Sequence, residues 1–99
     1  MALRRRYLVA YDIRDPKRLR AVHRLLKANG YPVQYSVFVC DLTKSEKITF
    51  CWAVGETVDH ALDSVVLVDL GEAGQAADRF ECLGVAVPTA VEGGEARIV

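Results

Sequence analysis

The hydrophobic pattern opens with Tyr7-Leu8-Val9-Ala10-Tyr11-Asp12-Ile13, an aromatic and β-branched run without a breaker, which reads as a strand. Tyr7, Val9, Tyr11 and Ile13 alternate onto one face, and Leu8 and Ala10 onto the other. Both faces are apolar, so both need cover. The period then changes. Leu19, Val22, Leu25 and Leu26 recur at helical spacing and form an apolar stripe. Asp15 is placed to cap that helix and Pro16 to fill its first turn, where a missing N–H costs nothing. Asn29-Gly30 closes it, with Gly30 suited to a left-handed cap.

Val33 to Leu42 is extended again, either one kinked strand or a hairpin turning near Tyr35-Ser36, with Val37-Phe38-Val39-Cys40 as its apolar part. Thr43 and Glu46 stand at the spacing of a capping box and announce a second helix. Ile48, Cys51, Trp52 and Val58 are expected on its inner side, although Thr49 and Gly55 weaken it. Ser64-Val65-Val66-Leu67-Val68-Asp69-Leu70 is a further strand, apolar on both faces. A loop at 71–74 and a short strand over 79–84 follow.

Strand, helix, extended pair, helix and strand predict an α+β fold of the ferredoxin-like, split βαβ type: an antiparallel sheet with two helices on one face. Residues 1–84 form this domain, and 85–99, with Pro88 and Gly93-Gly94, form a C-terminal tail that is loose unless it docks on a partner. Two helices cover one sheet face only. The second apolar face is most simply buried against another copy, giving a two-fold homodimer.

Ninety-nine residues make a single domain, and an apolar fraction of 52% with 26% charged residues excludes wholesale disorder. No apolar run is long enough to span a membrane and no secretory signal is visible, so the protein is expected in the cytoplasm. Cys40, Cys51 and Cys82 have neither disulfide nor zinc spacing and are expected to be buried or half-buried small hydrophobes. A net charge of zero hides an asymmetry. Residues 1–30 carry nine bases and two acids, a net +7, and the rest of the chain carries −7. Within the basic part, Arg20, Arg24 and Lys27 make a ridge on the first helix, with Arg14 and Arg18 nearby. Such a face suits a polyanion.

Asp12 ends the first strand, where α/β folds open their sites, and Asp15 is the better cap. The glycines make no dinucleotide or phosphate loop, and Ser36 lacks a hydrolase elbow. His23 and His60 read as surface or core-edge residues. One carboxylate is a thin basis for catalysis. A two-fold axis near Asp12 would supply two, which repel unless a cation lies between them. Mg²⁺ takes one or two carboxylates and keeps several waters, one of which can attack a phosphodiester.

Tyr11-Asp12-Ile13 with Asp15, the basic helix ending Asn29-Gly30, and Val33-Gln34-Tyr35-Ser36-Val37-Phe38 resemble the Cas-two family of CRISPR-associated proteins. Asp63-Ser64-Val65 and Glu81-Cys82-Leu83-Gly84 extend the resemblance over residues 6–84. It implies a ferredoxin-like homodimer whose C-terminal segment packs on the other protomer, with Mg²⁺, or Mn²⁺ in its place, bound by the catalytic Asp12, and with Ser36 and Phe38 lining the site. It also implies metal-dependent cleavage of single-stranded RNA or duplex DNA, and a role as DNA-binding adaptor to a larger CRISPR integrase during spacer acquisition. The alternatives are an adaptor without catalysis, a toxin-type ribonuclease of the same fold, and an unrelated ferredoxin-like ligand-binding module. The second helix, more apolar and interrupted than is usual in the family, and the tail after Gly84 depart from the pattern.

Overall fold

The computed structural model describes residues 3–76 and 79–84. Strands β1 (Arg5–Asp12), β2 (Gly30–Gln34), β3 (Val37–Leu42) and β4 (Ser64–Glu72) alternate with helices α1 (Pro16–Asn29) and α2 (Lys44–Thr57). The sheet order is β2-β3-β1-β4, and every neighbouring pair is antiparallel. This is the split βαβ architecture anticipated from the pattern. The tail over 85–99 lies outside the described residues.

The side-chain period of two sorts the sheet into two faces. Tyr7, Val9 and Tyr11 of β1, with Phe38, Cys40 and Leu42 of β3, join Val22 and Leu26 of α1 and Phe50 and Val54 of α2 in one core. Both helices therefore lie on the same face. Val9, Phe38, Cys40, Val22 and Leu26 have no exposed surface at all. Removing a side chain such as Leu26 from a core of this kind costs about 2–5 kcal/mol. Lys47 places its ammonium 5.1 Å from the ring centroid of Tyr7, so the stem of α2 also caps the core edge.

The opposite face carries Leu8 and Ala10 of β1, paired with Val68 and Val66 of β4 on one side and with Val39 and Val37 of β3 on the other. Val66 and Val68 are 53% and 46% exposed. Farther along the same face, Arg6 reaches across to Asp41, Nε to Oδ1 at 2.8 Å and Nη2 to Oδ2 at 2.9 Å. That bidentate pair leaves Arg6 5% exposed. A buried pair of this kind is costly to break because one charge would remain uncompensated.

The helices are capped as their sequences dictate. Asp15 accepts from the Arg18 N–H at 2.9 Å. Thr43 and Glu46 form the reciprocal capping box, at 3.2 and 2.8 Å. Several expectations are corrected. Gly30 has φ −168°, so it is extended rather than left-handed. Its glycine is required by a close approach: a Cβ there would fall on the Val39 carbonyl oxygen and within 2.7 Å of Cys40 Sγ. Leu19 is 38% exposed, which leaves Val22 and Leu26 as the buried stripe of α1.

In α2 the inner side is Phe50 and Val54, while Ile48, Cys51 and Trp52 face outward. The apolar residues of α2 surround its axis, so periodicity does not select a face. Phe50 goes inward, one helical turn from Val54, while the larger Trp52 ring stays outside, so size does not make the choice. Cys40 and Cys82 are buried and Cys51 is exposed, contrary to a uniform burial of the three. The predicted strand over 79–84 is reduced to an isolated bridge at Cys82, after a 3-10 turn at Ala73–Gln75. No helix among the described residues is long and apolar enough to cross a membrane.

Candidate active site and nucleic-acid interface

Asp12 is the last residue of β1 and alternates with Tyr11, so its side chain leaves the sheet on the face opposite the helices. It pairs in register with Ser64 of β4. One residue earlier, the Tyr11 N–H donates to the Ser36 carbonyl at 3.1 Å. Three backbone segments, the end of β1, the β2–β3 turn and the start of β4, thus converge at one end of the sheet. Asp12 is 66% exposed, and Arg14 Nη2 stands 3.4 Å from its Oδ2.

The loop after Asp12 is held by a residue that composition did not single out. The Asp63 side chain has no exposed surface and accepts four hydrogen bonds. Its Oδ2 takes Arg18 Nε at 2.7 Å and the Asp59 N–H at 2.8 Å. Its Oδ1 takes the Arg14 N–H at 2.9 Å and Arg18 Nη2 at 3.1 Å. The Arg18 guanidinium, ahead of the opposing effect of burial, keeps the Asp63 carboxyl ionised to well below the usual carboxylate range. One carboxylate thereby ties the β1–α1 loop, the first turn of α1 and the approach to β4 together. The sequence signal for this residue was only its position before Ser64 in the family resemblance.

The predicted site residues are not all gathered around Asp12. Ser36 is exposed and adjoins Asp12 through the Tyr11 backbone contact. Phe38 pairs with Val9 on the helix-facing side and is fully buried, so it lies in the core rather than on the surface that Asp12 occupies. Its ring packs 6.4 Å from Tyr11 and 5.4 Å from His23, centroid to centroid. Phe38 can therefore act on the site only by positioning β1 and β3. Arg18 is committed to Asp63, and Arg14 to the neighbourhood of Asp12. His60 contacts the Gly55 carbonyl at 2.7 Å on the surface.

Arg20, Arg24 and Lys27 are exposed along α1 and have no ion-pair partner among the described residues. They border a cleft of about 480 Å³ between α1 and the β2–β3 turn, with Tyr35 on the far side. Sequence reading found the basic ridge but not the cleft, because Tyr35 reaches it through the turn. The Tyr11 hydroxyl donates to the Tyr35 carbonyl at 2.5 Å, and burial pushes its phenol above the usual value, so it stays a donor.

Among the described residues, Asp12 is the carboxylate to test for fit to a divalent metal. Asp12 presents hard oxygen donors toward solvent, which fits the preference of Mg²⁺ for one or two carboxylates with retained waters. Among the described residues no group of three or more His, Cys, Asp or Glu is arranged to hold an ion, so within one chain Asp12 supplies only part of a donor set.

Comparison with known proteins places this geometry in a family. Residues 5–77 match the family model described as CRISPR associated protein Cas2. A CRISPR-associated endoribonuclease Cas2 of Rhodospirillum rubrum is 41% identical over 83 residues, covering 84% of this chain and 81% of that protein. The CRISPR-associated endoribonuclease Cas2 of Geobacter sulfurreducens is 36% identical over 78 residues, 79% of this chain and 82% of its own length. The crystal structure of Streptococcus pyogenes Cas2 superposes with a TM-score of 0.71 at 34% identity, covering 80% of this chain and 99% of that one. With a family match spanning both helices and all four strands, this chain belongs to the CRISPR-associated Cas2 family.

Proposed function

We propose that this chain is a homodimeric, divalent-metal-dependent endonuclease, with Asp12 as its catalytic and metal-binding residue. The observation that carries this reading is the exposed Asp12 carboxylate on the helix-free side of the sheet, at the end of a strip that includes the exposed Val66 and Val68. A second copy covering that strip would bring its own Asp12 toward the first across the two-fold axis. Asp12 and its symmetry mate would then hold Mg²⁺ or Mn²⁺, which supplies Lewis acidity toward a phosphoryl oxygen and lowers the pKa of water.

The chain's own groups bind and orient the substrate. Arg20, Arg24 and Lys27 attract the phosphate backbone, and Arg14 adds positive charge beside the carboxylate where charge develops on the phosphate. Asp63 keeps the Arg14 backbone in place, so the geometry of this charge is fixed before substrate arrives. The relatives from Rhodospirillum rubrum and Geobacter sulfurreducens are named endoribonucleases, which makes single-stranded RNA the first substrate to test and duplex DNA the second.

A second reading is an adaptor that holds DNA for a larger CRISPR integrase without cleaving it. The contact between Arg14 and Asp12 favours it, because a cation already partly neutralises the carboxylate. Cleavage of end-labelled RNA and duplex DNA by wild type and Asp12→Asn, in Mg²⁺, Mn²⁺ and EDTA, separates the two. The nuclease requires metal-dependent cleavage that falls at least a hundredfold in the variant. Equal cleavage by both proteins, or none by either alongside intact DNA binding, leaves the adaptor.

A further inference from the structure

The cleft between α1 and the β2–β3 turn joins a basic wall and an aromatic one. One wall is the basic ridge of Arg20, Arg24 and Lys27, and the other is the Tyr35 side chain, with Leu19 and His23 between them. Tyr35 is 92% exposed, the most exposed large hydrophobic side chain among the described residues, at a turn whose carbonyl is pinned by the Tyr11 hydroxyl. An aromatic ring held at a fixed turn and left bare gains apolar burial only when something flat lies on it. The cleft, about 480 Å³, is open to solvent.

We propose that this cleft captures an unpaired nucleotide of a nucleic-acid strand, with its base stacked on Tyr35 and its flanking phosphates on Arg20, Arg24 and Lys27. The proposal deepens the nuclease reading, on which its substrate class rests. Arg20 and Arg24 are four residues apart, which at the helical rise places them about 6 Å apart along the axis. That separation suits neighbouring phosphates of an extended single strand. A paired base is already stacked on its neighbours and shows only its edges, so the platform selects for unpaired positions. Lys and Arg on the backbone carry no sequence preference, and a stacked base adds little. The cleft is thus a reader of single-strandedness rather than of sequence, and it stands apart from the Asp12 carboxylate on the other face of the sheet.

The test compares a short oligothymidylate with an abasic strand of the same length and phosphate count, measured by fluorescence anisotropy on the full chain in EDTA. Wild type binds the oligothymidylate about tenfold more tightly than the abasic strand. Tyr35→Ala removes that difference while keeping abasic binding, and Tyr35→Phe retains it. Equal affinity of wild type for both strands, or an equal loss on both with Tyr35→Ala, overturns the stacking site while leaving the basic ridge intact. Absence of binding to either strand at low salt overturns the nucleic-acid reading as well.

Discussion

Asp63 grips Arg18 through both carboxylate oxygens and, with the same two atoms, takes the backbone N–H groups of Arg14 and Asp59. A residue counted by sequence among the phosphate-binding arginines is in this way the internal counter-ion of a buried acid. The pair sets the path of the chain from Asp12 into α1.

This arrangement predicts a specific acid response. The Asp63 carboxyl is depressed in the fold, so its stabilisation is complete above the unfolded-chain value of about 3.9 and is lost as pH falls through the lower folded value. Glu46, held by the Thr43 N–H and by Arg4, and Asp69, held by Arg5, act in the same direction. Thermal midpoints should therefore be flat near neutrality and fall below about pH 4. Asp63→Asn should lower the midpoint at pH 7 by roughly 10 °C or more, and its deficit should shrink in acid. Calorimetry across pH checks both statements.

Gly30→Ala should destabilise the protein by about 2 kcal/mol or more, because the new methyl meets a backbone carbonyl that cannot move without opening the β2–β3 ladder. Gly55→Ala, at a half-buried position of α2, meets nothing within 4 Å and should instead stabilise by about 0.5–1 kcal/mol. Urea unfolding of the two variants provides a matched contrast.

The thiols should separate by reactivity. Burial pushes the Cys40 thiol up to about 12, so it stays protonated and shielded, whereas Cys51 is exposed on α2. Iodoacetamide in native buffer should modify Cys51 first, and Cys40 only after denaturant is added. Peptide mass mapping reads the order directly.

Arg20→Ala combined with Arg24→Ala should weaken binding to every nucleic-acid sequence alike and reduce the slope of log affinity against log salt by roughly 1.5. A changed sequence preference would mean that these side chains touch bases. Titrations at several salt concentrations, with two unrelated sequences, decide between them.

Local chemistry explains which features were readable beforehand. The caps at Asp15 and Thr43, the Val22–Leu26 stripe and the strand at β1 were legible because each depends on neighbours within a turn or on strict alternation. The place of Asp12 at a strand end was legible too. The inner face of α2 was not, since an apolar sequence all round leaves the choice to packing against the sheet, which puts Phe50 inside and the larger Trp52 outside. Neither the Asp63–Arg18 clamp nor the Tyr35 cleft was legible, because each joins residues distant along the chain. Gly30 shows the same limit. Its position after a helix suggested a left-handed cap, and only the approach of Val39 reveals the real constraint.

The central claim is that Asp12 becomes a metal site by meeting its counterpart. A Mn²⁺ titration of the wild-type protein and Asp12→Asn, followed by the loss of the free-ion electron paramagnetic resonance signal, addresses it most directly. One tightly bound ion for every two chains, absent in Asp12→Asn, is the result this account predicts. One ion per chain, or the same binding in the variant, would contradict it.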